Sequence, residues 1–141
     1  MAFPHDFPFD PAYGYGAPEL LRVAAPPPPA GFEGFWRARH AAAMRVAPEP
    51  RLRPSAAAHS DWIVEELDYR STGGFTIGGW LLRPRQGPIR RGLVVGHGYG
   101  GREGPDLDLP VTETALLFPC FRGLSRSARA PISTDPQWHV L

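Results

Sequence analysis

The sequence lacks the features that define several common classes of protein. Its 141 residues contain one cysteine, Cys120, so no internal disulfide can form, which is consistent with a reducing compartment. All 15 basic residues are arginine and the net charge is +1, so no excess of positive charge favours nucleic acid or an anionic membrane. No apolar run approaches the roughly 18 residues of a membrane span. The first residues lack a basic region followed by an apolar core, so we expect no secretion signal. We therefore expect a soluble, cytoplasmic protein.

The titratable residues also lack the spacing of a metal site or of a working carboxylate pair. No cysteine or carboxylate lies at metal-ligand spacing from four of the five histidines, His5, His40, His59 and His139. The adjacent Glu65 and Glu66 point to opposite faces of a predicted strand, so they cannot act together. We therefore expect no metal site.

Proline is abundant, and it shapes the first third of the chain. The 18 prolines exceed the usual share of about 5%. In residues 1–30 they predict an extended arm of polyproline II or irregular structure. The arm carries too many aromatic residues for a purely solvated tail, namely Phe3, Phe7, Phe9, Tyr13 and Tyr15. We expect it to pack on a body or on a neighbouring subunit, with a disordered tail as the alternative.

An amphipathic helix is predicted over about residues 31–46. Apolar side chains recur at helical spacing, at Phe32, Phe35, Trp36, Ala43 and Val46. Pro48 and Pro50 end the pattern. This stripe is more typical of packing than of a cofactor site.

The prolines of residues 47–61 predict a linker. Residues 1–61 are therefore expected to form an arm, a helix and a linker, and residues 62–141 a separate domain.

The domain begins with a predicted antiparallel hairpin and continues with parallel strands. Residues 62–69 and 75–83 are rich in β-branched and aromatic residues and flank a Ser-Thr-Gly-Gly turn. Within the second strand, Gly78 and Gly79 indicate a bulge or the close approach of another backbone. Two short apolar runs, residues 93–95 and 115–118, predict strands buried on both faces of a parallel sheet.

The segment between the parallel strands is predicted to hold only a short helix. It runs from Asp106 to Thr114, and Asp106 or Asp108 suits the N-cap. These carboxylates are therefore expected to cap a helix rather than to catalyse. The resulting order of hairpin, strand, crossover and strand is typical of an α/β fold.

A glycine-rich turn, His97-Gly98-Tyr99-Gly100-Gly101, directly follows the first parallel strand. In such sheets, ligands bind beyond the carboxyl ends of the strands. Glycines let backbone N–H groups approach a ligand closely, as an oxyanion hole requires. His97 is expected to be structural rather than a general base. The alternative to an oxyanion hole is a tight turn that only connects the strand to the following loop and has no catalytic role.

In this order, five features resemble the acetyl xylan esterase and cephalosporin-C deacetylase family of α/β-hydrolases. They are the Phe-rich arm, Gly34-Phe35-Trp36 on a helix, the strand over residues 74–84, the turn over residues 97–101, and Arg122-Gly123. The resemblance runs along almost the whole chain, but known members are considerably longer, so it covers only their first portion. It implies that the Tyr99 backbone N–H contributes to an oxyanion hole.

The resemblance is weaker in the loop that begins at Arg122. The family motif usually reads Arg-Gly-Gln-Gly, often with an aspartate two residues before the arginine. Leu124-Ser125 replace Gln-Gly here, and Cys120 stands at the aspartate position. Whether Arg122-Gly123-Leu124-Ser125 keeps the family's loop shape is therefore open.

The sequence lacks the nucleophile elbow Gly-x-Ser-x-Gly that an α/β-hydrolase needs. The nearest approach, residues 123–127, lacks the second glycine and follows the wrong strand, so Ser125 is expected to be a loop serine. We therefore expect an incomplete domain, the amino-terminal part of an ester hydrolase, without the serine, histidine and acid of the triad and inactive alone. Its sheet should end in an unpaired edge.

By the resemblance, the intact relative deacetylates acetylated sugars or small acetyl esters through a Ser-His-Asp mechanism, without cofactor or metal. Family members are commonly ring-shaped oligomers, and the arm over residues 1–30 could serve such contacts. Two alternatives stay open. The chain could belong to another α/β-hydrolase, of the dienelactone hydrolase or peptidase type, or it could be a non-catalytic module that binds a partner protein through its arm and helix.

Overall fold

The structure, a computed structural model, describes Asp6, residues 8–131 and Ser133. Four residues discussed above lie outside these ranges: Phe3, His5, Phe7 and His139. The chain divides into two compact units, with the boundary between Arg37 and Ala38. Among the described residues, no helix combines the length and apolarity needed to cross a bilayer.

The first unit contains the proline-rich arm and the start of a helix. The arm forms a single helical turn, α1 (Ala17–Leu20), and is otherwise irregular. The predicted helix is present as α2 (Phe32–Met44). Its aromatic residues contact one another edge to face, with the Trp36 ring 5.3 Å from Phe35 and 6.3 Å from Phe32. All three remain about half exposed, so the packing expected of this stripe stays a prediction.

The second unit is a five-stranded mixed sheet with the strand order β1-β2-β3-β5-β4. The strands are β1 (Arg51–Pro54), β2 (Trp62–Arg70), β3 (Thr76–Pro84), β4 (Arg91–Val94) and β5 (Thr114–Pro119). The hairpin prediction is confirmed, because β2 and β3 pair antiparallel along their whole length. The prediction of two parallel strands is also confirmed, since β4 pairs parallel with β5.

Strand β1 lies inside the segment that the sequence predicts to be a linker. Its Leu52 stands opposite Leu67 of β2. A guanidinium nitrogen of Arg53 lies 2.6 Å from a carboxylate oxygen of Asp68. Pro54 is tolerated because β1 is an edge strand. The prolines of this segment favour a linker in the sequence, but pairing with β2 makes residues 51–54 a strand.

The prediction that β4 is buried on both faces is wrong for the described chain. Leu93 is 42% exposed and Val94 is 65% exposed. The cause is the strand order, because β5 lies between β3 and β4 and leaves β4 at the margin of the sheet. The expected unpaired edge is therefore present, and it is formed by β4 within the residues that the structure describes.

The helix predicted between the two parallel strands is absent, since residues 106–113 are extended or bent. Leu107, Leu109 and Val111 alternate with exposed residues and pack against the core of the sheet. The indole N–H of Trp62 donates to the Leu107 carbonyl at 3.0 Å. In an extended chain every second side chain points to the same face, so these three residues can all contact the sheet. In a helix, residues two apart point in different directions and could not all contact it. Asp106 and Asp108 therefore cap no helix.

The core lies on the face of the sheet that this segment covers. It consists of Trp62, Val64, Trp80, Leu82, Leu116, Phe118 and Cys120. The close approach predicted at the paired glycines is confirmed. A Cβ on Gly79 would contact the backbone of Phe118 and lie 3.0 Å from the Cα atom of Pro119. One on Gly78 would lie 2.7 Å from the carbonyl oxygen of Arg126.

Candidate functional site

The carboxyl ends of β4 and β5 are neighbours, and the loops that leave them form the candidate site. Val95 extends the ladder beyond β4 by donating its N–H to the Leu117 carbonyl at 2.8 Å. In the structure, the glycine-rich turn spans residues 96–102, one residue more at each end than the sequence predicts. Gly101 adopts φ +81°, a left-handed conformation that suits glycine, and its N–H donates to the Gly98 carbonyl at 3.1 Å.

His97 joins the two loops through both nitrogens of its ring. Nε2 accepts a hydrogen bond from the backbone N–H of Phe121 at 2.8 Å. Nδ1 lies 2.7 Å from the Gly98 carbonyl oxygen, so the tautomer that satisfies both contacts carries its proton on Nδ1. The His97 and Phe121 ring centroids are 4.3 Å apart. Since both nitrogens are engaged, the geometry supports the structural role expected of His97.

A second connection joins the far end of the glycine-rich turn to the loop after β5. The backbone N–H of Arg102 donates to the Ser125 hydroxyl oxygen at 2.8 Å. The guanidinium of Arg102 donates to the Gly96 carbonyl at 2.9 Å and lies 4.7 Å from the centre of the Phe118 ring. The turn is therefore held at its beginning, its end and its histidine.

Tyr99 lies near the tip of the turn, at the position where an oxyanion donor is expected. Its side chain is 69% exposed. Together with His97 and Gly98, Tyr99 lines a cavity of about 630 Å³. This places the turn beside a space large enough for a small substrate. The role of the Tyr99 N–H itself stays a prediction.

The cavity contains two polar groups that the sequence did not single out as partners, Tyr69 and Cys120. Burial, and in second place the charge of the nearby Cys120, raises the pKa of the Tyr69 phenol above its ordinary value of 10.0. Tyr69 stands opposite Ile77 in the hairpin, which also lines the cavity. Only the register of the hairpin could have indicated this position.

Arg122 fixes the loop after β5 to the turn of the hairpin. Its guanidinium donates to the Thr72 hydroxyl at 2.7 Å, to the Ser71 hydroxyl at 3.2 Å and to the Thr72 carbonyl. The guanidinium also lies 5.1 Å from the centre of the Phe75 ring.

After Arg122, the backbone of the loop adopts positive φ values at Gly123 (+79°) and Ser125 (+50°). The resemblance places glycine at both positions, and the backbone here has the conformation that glycine favours.

The loop is also tied to β3 by Ser127, whose importance the sequence did not indicate. Ser127 is only 2% exposed. Its hydroxyl accepts the N–H of Gly78 at 3.0 Å and donates to the Cys120 carbonyl at 2.8 Å. Ser127 therefore connects the loop after β5 to β3 through one buried hydrogen-bond network, across 49 residues of sequence.

The adjacent carboxylates Glu65 and Glu66 each have an arginine partner. Glu65 pairs with Arg83 at 2.8 Å, whereas Glu66 pairs with Arg126 at 3.0 Å, so the two carboxylates face opposite sides as predicted. Within the same ranges, no three histidine, cysteine or acidic side chains gather as metal ligands would.

The sheet and its loops are compatible with part of an α/β fold. No protein-family model matches the sequence, and no curated protein is significantly similar to it. Among solved structures, the chain is similar to acetyl xylan esterase 1 from Thermoanaerobacterium sp. JW/SL YS485, with 20% identity over 70% of this chain and a TM-score of 0.63. It is also similar to an acetyl xylan esterase from Paenibacillus sp. R4, with 21% identity over 72% of this chain and a TM-score of 0.58.

Identities this low show a shared fold and nothing more. The aligned region is 32% of the first esterase and 34% of the second, so the chain spans about a third of the length of the structures that it matches.

Proposed function

We propose that the chain is the amino-terminal part of a carboxylic ester hydrolase that removes acetyl groups from acetylated sugars or similar small esters. The observation that carries the proposal is the position of the glycine-rich turn. It follows a parallel strand, borders a cavity of about 630 Å³, and belongs to a sheet whose fold resembles that of two acetyl xylan esterases.

In the proposed mechanism, this part of the protein supplies an electrostatic contribution to catalysis. A serine attacks the acetyl carbonyl, a histidine takes the proton of that serine, and the Tyr99 backbone N–H donates to the oxyanion that forms. The triad would come from a part of the enzyme that this sequence does not contain.

The exposed aromatic residues of the arm would serve contacts with a second copy of the chain.

The proposal is tested by the hydrolysis of p-nitrophenyl acetate. We expect negligible turnover by the 141-residue chain, because losing the triad serine costs on the order of a million-fold in kcat. We expect turnover by the same chain continued through its downstream reading frame. If the short chain hydrolysed the ester and Ser125→Ala abolished that activity, the proposal would be wrong.

The role of Tyr99 is tested in the continued chain with a matched pair of variants. Tyr99→Pro removes the backbone donor, whereas Tyr99→Ala removes the side chain and keeps the N–H. We expect Tyr99→Pro to lower kcat by about 100- to 1000-fold, the usual cost of one oxyanion donor. Tyr99→Ala should change kcat by a few-fold at most. Equal losses in both variants would contradict the role of the backbone N–H.

A further inference from the structure

The loop after β5 presents the hydroxyl of Ser125 to the glycine-rich turn, where it accepts the backbone N–H of Arg102 at 2.8 Å. We infer that Ser125 is a positioning residue, whose hydroxyl oxygen holds the backbone of Arg102 and thereby fixes the shape of the turn. The consequence for catalysis rests on the proposed function, whereas the contact itself does not.

Arg102 makes this contact effective because it closes the turn on itself. Its backbone N–H is bound by Ser125, and its side chain reaches back to the Gly96 carbonyl, at the first residue of the turn. The Arg102 side chain is only 10% exposed and lies against the Phe118 ring. A displacement of the Arg102 backbone would therefore move both ends of the turn that carries Tyr99.

Backbone hydrogen bonds on both sides of Ser125 hold this residue in place. Its backbone is held at φ +50° between hydrogen bonds from Leu124 N–H to the Phe121 carbonyl, at 3.0 Å, and from Ala128 N–H to the Ser125 carbonyl, also at 3.0 Å. A Cβ on Gly101 would contact the Ser125 hydroxyl, so the two loops lie in direct contact at this point.

This packing also separates Ser125 from the role of a nucleophile. A nucleophilic hydroxyl needs an adjacent base to take its proton. The contact shown for the Ser125 oxygen is instead with a backbone N–H, and His97 uses both ring nitrogens elsewhere. By the resemblance, the family usually has glycine at position 125, which offers no hydroxyl. The contact is therefore a feature of this sequence and not one that the resemblance implies.

Amide hydrogen exchange, followed by NMR on the 141-residue chain, tests this inference. Ser125→Ala removes the hydroxyl, and Ser125→Gly removes it while tolerating the positive φ. Loss of one hydrogen bond should accelerate exchange of the Arg102 amide by roughly 2- to 12-fold in both variants. Exchange at the paired residues of β2 and β3 should change less. Ser60→Ala, at an exposed serine before β2, is the control and should leave the Arg102 amide unchanged.

Two results would overturn the inference. One is an Arg102 amide that exchanges at the wild-type rate in Ser125→Gly, because strain at position 125 would then be the only effect of the alanine variant. The other is an equal acceleration of Arg102 and of all amides in β2 and β3, since Ser125 would then stabilise the whole sheet and not the turn. Exchange requires no ester hydrolysis, so this experiment decides the inference separately from the proposed function.

Discussion

The contact between β3 and β5 at Gly79 gives the sharpest prediction about stability. In the sheet, Gly79 lies opposite Pro119. The Cβ of Gly79→Ala would stand 3.0 Å from the Cα atom of Pro119 and 3.2 Å from the carbonyl carbon of Phe118, and closer still to the carbonyl oxygen of Phe118. Ordinary van der Waals contact begins near 3.4 Å. Because all three atoms belong to the backbone, no side-chain rotation can relieve the contact, and the strands must separate.

The cost follows from the size of that displacement. Overpacking of this kind costs about 1–3 kcal/mol, and weakening the adjacent ladder hydrogen bond adds about 1 kcal/mol. The lower chain entropy of alanine in the unfolded state returns about 0.5–1 kcal/mol. We therefore expect Gly79→Ala to lower the free energy of unfolding by about 1–3.5 kcal/mol, a large part of the usual 5–15 kcal/mol.

Urea unfolding, followed by tryptophan fluorescence, measures this effect. Trp80 is 6% exposed and adjoins the substituted residue. With a slope of about 2 kcal/mol/M, the midpoint should fall by roughly 1 M. Gly92→Ala in β4 is the matched control, since its Cβ would have no atom within 4 Å, and its midpoint should rise slightly. A Gly79→Ala midpoint at or above that of the wild type would refute the close approach of the two backbones.

Two further predictions concern Ser127, which is buried, and Tyr69, which is partly buried. Ser127→Ala removes the partner of both the Gly78 N–H and the Cys120 carbonyl, so urea unfolding should show a loss of about 2–4 kcal/mol, whereas Ser60→Ala should show almost none. In an alkaline titration of tyrosine absorbance, one tyrosine should ionise above pH 10.0, and Tyr69→Phe should remove that step, because burial raises the pKa of Tyr69. The pKa of Tyr69 is higher in the folded state, so its contribution to stability is present below pH 10.0 and is lost as the pH rises through the folded pKa. Tyr69→Phe should therefore reduce the alkaline loss of stability, and an unchanged loss would contradict the raised pKa.

The sequence predicts those elements whose signals are local. The hairpin follows from β-branched and aromatic residues on both sides of Gly73 and Gly74, and the two parallel strands follow from short apolar runs. The contact at Gly79 is predictable because glycine within a strand has few other causes. In each case, the residues whose pattern predicts the element are the same residues that form it in the structure.

The errors arise where the deciding partner is distant in sequence. Nothing local to β4 indicates that β5 lies between it and β3, and this order determines the exposure of Leu93 and Val94. The segment after Asp106 is too short for its period to be distinguished by pattern alone, and packing on the core selects the extended form. Likewise, Ser125 acquires its partner across 23 residues and Ser127 acquires its partner Gly78 across 49 residues.

Cys120 has a consequence for how the motion of this protein can be measured. It is the only thiol among 141 residues, and its exposed fraction is 0%. It directly follows β5, and its N–H donates to the Gly78 carbonyl at 2.9 Å. A thiol-specific reagent can react only after the packing around Cys120 opens, so the labelling rate of the unsubstituted chain reports local opening at the end of β5, where Cys120 lines the candidate cavity. The protein thus contains a natural chemical probe of local unfolding beside its candidate site.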